Sequence, residues 1–471
     1  MSIGAVHPPP RPEIPSDGTL VAAALAAALL AGPFALLPPS HAVALLGGAG
    51  LVIAVARHPP LAAYVVLATT PLLAGIDRGR VVPLLRPNEA ILALAAAGLG
   101  ARGLVALSRG VTWRPRLRPV EWWLLAVAFS GSVWPLLWMV ARGRSIAPDD
   151  VYYAVYICKY AAIYALVRAS VRTEHAVRTC LWVSLAAAVT VAIVAILQTR
   201  HLLGVPGLLA AIYARPEGTE ALGGNRGTAT LSSSLAVGDV LIFNIALAAG
   251  WLVRKGGPRG VLAGALSVLL LGTIATGQVS TLLGLCVAAV TLGVVLRRPV
   301  QALVLTVVAF PVAALLMWPA VSGRIGDFGS PGGLPPSWIG PHGRLYNLET
   351  YFWPQLLADH NWLTGVRVAA RLPSSDPFSG GWVWIESGQT WLLWSGGVLL
   401  LVACFGFLAT GIRAVAGVAR RRTDAVGVAA VGALVALWVN VALMTFDVHL
   451  TLRGSAELTF TLLALALVSP R

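Results

Sequence analysis

Long apolar runs follow one another along almost the whole chain, each close to the ~20 residues that a helix needs to cross a bilayer. They predict helices at 19–37, 42–56, 60–76, 88–107, 120–141, 151–168, 176–197, 234–253, 260–276, 279–296, 300–320, 389–412, 425–445 and 454–469. The pairs around Pro59 and Gly277 are short enough to be re-entrant, so about 12–14 transmembrane helices are expected. The runs do not alternate apolar and polar positions as barrel strands do, and helices satisfy every backbone group internally. The expected fold is therefore an all-α polytopic membrane protein. One large extracytoplasmic loop, carrying short helices, interrupts it.

Polar stretches divide the chain further. Residues 1–18 form a Pro-rich tail, expected to be disordered and cytoplasmic. An N-terminal transmembrane bundle covers 19–197, a first extracytoplasmic loop 198–233, further helices 234–320, the large loop 321–388, and the C-terminal helices 389–471. The run Leu20 to Leu37 lacks a small-residue cleavage site followed by a soluble domain, so it reads as a retained span.

Composition agrees with this reading. The 471 residues are 57% hydrophobic and only 11% charged, against ~25% charged in a soluble domain. The net charge of +15 suggests nucleic acid at first sight. Basic residues that set membrane topology account for the bulk of it, so no nucleic-acid partner is expected. Cys158, Cys180, Cys286 and Cys404 lie in apolar runs with no CxxC spacing. The eight histidines form no ligand pattern, so neither a metal nor a cofactor is expected.

Alternate loops set the expected orientation. Arg57, Arg109/Arg114/Arg116/Arg118, Arg168/Arg172, Arg254/Lys255/Arg259, Arg297/Arg298 and Arg413/Arg420/Arg421/Arg422 fall in short, nearly acid-free loops. These go to the cytoplasm. Both termini are then cytoplasmic, and 198–233 and 321–388 face out. The outward set still holds Arg78, Arg80, Arg86, Arg142, Arg144, Arg200, Arg215, Arg226, Arg324, Arg344, Arg367 and Arg371. Arginines there suit a phosphate or diphosphate. The alternative is pairing with lipid headgroups and with Asp149, Asp150, Asp327 or Asp376.

Three stretches carry candidate chemistry. Gly224-Asn225-Arg226-Gly227-Thr228 leads through Ser232-Ser233-Ser234 into a span, pairing a close-approach backbone with a fixed charge. A plain helix cap explains the serines equally well. In the second stretch, Leu345, Leu348, Phe352, Gln355 and Leu356 follow helical spacing behind Gly343-Arg344. They predict an amphipathic interfacial helix with Trp353 and Trp362 as belt residues. Third, Glu386-Ser387-Gly388-Gln389 opens a span. A carboxylate there suits a general base of raised pKa, or else an N-cap acid.

In this order and placement, the three stretches resemble the O-antigen ligase and polysaccharide polymerase superfamily, over about 200 residues from Asn225. Gly227-Thr228 followed by Leu235-Ala236 is similar to its Gly-Thr-Phe…Leu-Ala span entry. Gly343-Arg344…Trp353…Asp359-His360…Gly365-Val366 is similar to its Gly-Arg…Trp…Pro-Leu-Leu-Gly-Val-Gly segment. Glu386-Ser387, nine residues, then Gly397 resembles the ligase signature His-[Asn/Ser/Gln]-x9-Gly-x-x-Gly. Glu386 stands at the histidine position and Leu400 at the second glycine. Polymerase-like relatives also lack that histidine.

The resemblance implies a metal-independent membrane glycosyltransferase at the outer face of a bacterial plasma membrane. Its partners would be a polyprenyl-diphosphate-linked saccharide donor, a glycan or lipid acceptor, and membrane lipids. Arg226 and Arg344 would take up charge on the leaving diphosphate, and Glu386 would orient or deprotonate the acceptor hydroxyl. Arg215, Arg367 and Arg371 are second-choice cations, and Trp353, His360 and Gln389 are further substrate-binding candidates. Trp338, Tyr346, Trp382 and Trp384 could stack on sugars or anchor at the interface.

Two rival readings remain. A transporter or lipid-carrier flippase for an anionic envelope precursor would use polar residues at mid-membrane depth. Lys159 and Asp239 are the candidates, or they pair with each other. Another multi-span glycosyltransferase would instead use Asp149 and Asp150.

Overall fold

The computed structural model describes residues 39–82, 84–111, 117–213, 226–297, 311–318, 320–322, 343–374 and 381–468. The described chain is a helical, multi-pass membrane protein. Its first helices are α1 (Pro39–Arg57), α2 (Leu61–Leu73), α3 (Pro87–Ser108), α4 (Pro119–Ala141) and α5 (Pro148–Ser170). α6 (Glu174–Thr199), α7 (Val205–Ile212), α8 (Ser234–Arg254), α9 (Arg259–Ala275) and α10 (Val279–Val295) follow. Among the described residues, α3, α4, α6, α8 and two later helices, Gly388–Arg421 (α13) and Ala425–Leu443 (α14), are long and apolar enough to cross a membrane. α5 is equally long but carries Asp149, Asp150, Lys159 and Arg168.

The expected span at 19–37 and the tail 1–18 lie outside the described residues, and 300–320 lies there in large part. The pairs flanking Pro59 and Gly277 are separate helices, α1/α2 and α9/α10. One helix escaped the apolar pattern: α7, inside the first expected loop, is only eight residues long.

α8 and α14 form the centre. α8 packs against α6, α9, α10 and α14, and nearly every residue of both helices is buried. Small residues permit the close approach: a Cβ on Gly432 would lie 2.4 Å from Leu247 of α8. Lipid supplies no hydrophobic drive between helices, so such van der Waals contact holds them together.

The last helix, Ser455–Ala466 (α15), is buried at every position. Its 12 residues reach only about 18 Å, short of the ~30 Å apolar core. α2 is similarly short at 13 residues. The 444–454 segment before α15 is largely buried, whereas 77–82, 84 and 85 are mostly exposed, and the stretches next to α2 and α15 find internal partners. Gly75 N donates to Thr230 O at 3.1 Å, Thr230 Oγ1 to Pro71 O at 2.7 Å, and the Tyr160 hydroxyl of α5 to Thr451 O at 2.9 Å. Irregular backbone at such depth persists only when satisfied in this way.

The described part of the large loop starts with helix. Arg344–Asn347 continues through a wider π turn, Leu348–Phe352, into Trp353–Leu357; together these form α11. Leu348, Phe352 and Leu356 are its buried stripe, whereas Leu345 and Gln355 are exposed. The seam is thus narrower than the five positions expected. A short turn, α12 (Asn361–Thr364), and an antiparallel hairpin of β1 (Arg371–Pro373) and β2 (Trp382–Trp384) complete the loop. The helical pattern gave no sign of that hairpin.

α13 breaks at Gly397, whose φ of 66° and ψ of −160° are not helical. The break frees the Trp394 carbonyl, which accepts from Val366 N at 2.7 Å. Gly397 also lets the loop approach: a Cβ there would lie 2.2 Å from Leu363 O. Gly365 and Gly397, both singled out by pattern, are therefore the two sides of one contact between loop and helix.

Candidate functional site

Four arginines pin the loop to the helices beneath it. Arg367 grips Asp150 at the start of α5, with Nε to Oδ1 at 3.0 Å and Nη2 to Oδ2 at 2.7 Å. Arg371 grips Asp149 in the same forked manner, at 2.7 and 2.9 Å, and stacks 4.0 Å from the centre of the Trp382 ring. Asp150 is fully buried and also accepts from Ala147 N and Ala369 N. Arg142 bonds Asn361 and Thr364, and Arg144 bonds Val366 O. Planar forks matched to carboxylates give fixed geometry. In this structure Arg367, Arg371, Asp149 and Asp150 are engaged with one another, which is the pairing alternative for that group.

Behind this clamp Arg344 and Glu386 come together. Arg344 Nε lies 3.6 Å from Glu386 Oε1, and Arg344 Nη2 lies 4.0 Å from Asp447 Oδ2. Glu386 does not cap α13. Ser387 does, accepting from Thr390 N at 3.3 Å. Gly388 N donates to Met444 O at 2.7 Å, which brings the 444–454 segment, and with it Asp447, against the start of α13. Desolvation by surrounding protein pushes the Glu386 carboxyl up to about 7; Arg344 opposes this and Asp447 reinforces it. A third of the Glu386 side chain remains accessible, so the group can meet a ligand.

A second buried pair adjoins it. His449 Nδ1 lies 2.9 Å from Asp239 Oδ2, and the same oxygen accepts from Ser455 Oγ at 3.0 Å. Burial disfavours the imidazolium, but Asp239 outweighs it and raises the His449 pKa. His449 Nε2 has no hydrogen-bond partner. Lys159 does not pair with Asp239: it lies 2.7 Å from Glu457 and 3.6 Å from Glu89. Lys159 is nine residues beyond Asp150 on α5, about 14 Å deeper, whereas Asp239 is in the second turn of α8.

The remaining candidates are dispersed. Arg226 precedes Gly227, which is wedged between α6 and α9 and donates its N–H to Ala275 O at 2.9 Å. Gln198 of α6 fixes the next two residues, bonding Thr228 Oγ1 at 3.0 Å and Ala229 N at 2.8 Å. Trp353 Nε1 donates to Thr390 Oγ1 at 3.4 Å, and Gln389 Nε2 to Thr445 Oγ1 at 3.4 Å. His360 is exposed at a left-handed turn. Arg215, Arg324, Asp327, Trp338 and Asp376 lie outside the described residues.

Asp447, His449 and Arg453 escaped attention as sequence. Their signal is a stretch, Thr445 to Arg453, in which every second residue is polar, between the last two apolar runs. Among the described residues no three His, Cys, Asp or Glu side chains gather as a metal-binding group. No protein-family model, curated protein or solved structure matches the chain.

Proposed function

We propose that this protein is a membrane glycosyltransferase that moves a saccharide from a polyprenyl-diphosphate carrier to a glycan or lipid acceptor, at the outer face of a bacterial plasma membrane. The observation that carries the reading is Glu386. It lies beside Arg344, its carboxyl is pushed up to about 7, it remains accessible, and the neighbouring Ser387 performs the cap. A base near neutral pH beside a fixed cation suits attack by a hydroxyl on a phosphate-activated carbon.

In this mechanism Glu386 takes the proton of the acceptor hydroxyl as its oxygen bonds to sugar C1. The bond from C1 to the diphosphate oxygen breaks, and its electron pair leaves with the diphosphate. Arg344, beside Glu386, takes up the growing charge. Removal of one such contact typically costs about 2.7–4 kcal/mol of barrier, or roughly 10²–10³ in rate. Trp353 and Gln389, beside the start of α13, would line the saccharide. The test is release of polyprenyl diphosphate when purified protein meets a lipid-linked oligosaccharide and acceptor. Glu386→Gln should abolish release; wild-type release in that variant would defeat the assignment.

The deep charge cluster of Lys159, Glu457, Glu89 and Arg78 supports a second reading, transport or flipping of an anionic lipid-linked precursor. Translocation of a labelled precursor across proteoliposomes without bond cleavage would select it.

A further inference from the structure

Two chain segments meet against the middle of α5, one from residues 74–86 and one from 444–454. They bring four cations together: Arg78, Arg86, Lys159 and Arg453. The carboxylates among them are already committed. Glu89 receives Arg78 at 2.9 and 3.3 Å, faces Lys159 at 3.6 Å, and accepts the Arg86 backbone N–H at 3.2 Å. Glu457 receives Lys159 at 2.7 Å and the Gly454 N–H at 2.6 Å. Four cations and two carboxylates leave two positive charges over.

The surplus resides on Arg86 and Arg453. Arg86 is 7% exposed, and its Nε is sealed from solvent with no hydrogen-bond partner. Neither guanidinium forms an ion pair or side-chain hydrogen bond with another described residue. Burial, then the nearby Arg453 charge, depress the Arg86 pKa. Even so, an arginine keeps its proton in proteins. An unpaired buried charge is costly, and the cost falls only when an anion is supplied.

Backbone electrostatics act in the same direction. Arg86 is the N-cap residue of α3, and Arg453 immediately precedes Gly454, the N-cap residue of α15. Both helices therefore turn their positive ends toward this place. Tyr152 and Tyr156 close one side, with Arg78 stacked 4.7 and 5.0 Å from their ring centres.

We propose that Arg86 and Arg453, backed by Arg78 and Lys159, form a buried receptor for a phosphate or diphosphate group. Two surplus charges match the charge of such a group, and paired guanidiniums present forks that fit its oxygens. A carboxylate would neutralise only one. Arg453 is six positions beyond Asp447, so the receptor lies within about 20 Å of the Arg344–Glu386 site along the chain. In the glycosyltransferase reading the donor's diphosphate lies at Arg344 during transfer, so only the assignment of this second site to a donor before or a carrier after transfer rests on that reading; binding of the anion does not.

The test is calorimetric titration of the purified full chain in detergent, in phosphate-free buffer, with inorganic diphosphate and separately with geranylgeranyl diphosphate. Either probe should bind wild type. Arg86→Gln and Arg453→Gln should each weaken binding about tenfold or more, while Arg413→Gln, at an exposed position of α13, binds normally. Binding of both probes assigns recognition to the headgroup alone, and binding of the prenyl probe alone assigns it to a lipid. Without ligand, Arg86→Gln should keep or raise the melting temperature, because it removes an uncompensated charge. Should Arg86→Gln fail to fold, Arg453→Gln, at a partly exposed position, decides. Absence of binding by wild type, or wild-type affinity in the variants, would overturn the receptor. Binding with no transfer activity in wild type would instead remove the glycosyltransferase reading and leave the receptor standing.

Discussion

Arg367 and Asp150, 217 positions apart in sequence, are joined by two hydrogen bonds of 3.0 and 2.7 Å. The carboxylate is fully buried and accepts two backbone N–H groups besides. Asp150→Ala strands the guanidinium and both amides. It should lower stability by about 3–5 kcal/mol, read as a fall in melting temperature in detergent. The double variant with Arg367→Ala should cost less than the sum of the two single changes.

Glu386 predicts a pH profile. With its pKa pushed up to about 7, transfer by a base rises with pH and levels above that value. Arg344 lowers that pKa, so Arg344→Gln should shift the rising limb to higher pH as well as slow turnover. Asp447 raises it, so Asp447→Asn should shift the limb to lower pH. A limb that stays in place in both variants would separate Glu386 from the rate.

The same group affects stability. A carboxyl whose folded pKa lies above its unfolded value binds protons more tightly when folded. Its contribution is most favourable at low pH and declines as pH rises from about 4.5 to about 7. Glu386→Gln removes that decline. The variant should be inactive yet melt no lower than wild type at pH 8, a combination that purely structural damage would not give.

Gly397 can be tested sterically. An added Cβ would lie 2.2 Å from Leu363 O, at a φ of 66° that side chains rarely adopt. Gly397→Ala should cost about 1–3 kcal/mol and loosen the loop. Gly417→Ala, with nothing within 4 Å of the added carbon, should change stability by no more than about 1 kcal/mol. Accelerated proteolysis within 343–388 in the first variant alone is the expected result.

His449 offers a spectroscopic check. Asp239 raises its pKa against the effect of burial. In Asp239→Asn, burial acts without that opposition, and the imidazole should titrate lower by nuclear magnetic resonance. Because the wild-type pKa is raised, the pair's stabilisation is complete at low pH and is lost as pH rises through the folded value.

Much of the helical layout is readable in sequence because apolar length translates directly into span. Gly365 and Gly397 stood out only through the family resemblance, the helix expected over 389–412 ran unbroken through Gly397, and the cap expected of Glu386 is made by Ser387. The pairing of charges was not visible. As charges within apolar spans Lys159 and Asp239 suggest each other, yet their partners are Glu457, 298 residues from Lys159, and His449, 210 residues from Asp239. Segment 445–453 alternates Thr445, Asp447, His449, Thr451 and Arg453 with Phe446, Val448, Leu450 and Leu452, a period of two that a reading for helices passes over, and 74–86 resembles an ordinary connection. Arg86 therefore read as one loop arginine among many, although its burial sets it apart.

α15 also constrains how the molecule is assembled. Ser455, Glu457, Thr459 and Thr461 all lie within its 12 buried residues, and an acidic side chain weighs against partition of an isolated segment into lipid. The helix is synthesised after α5, α8 and α14, the walls it fits between. Contact with those walls, rather than its own partition into lipid, therefore holds it in the bilayer. A chain truncated after residue 454 would leave that slot open to lipid.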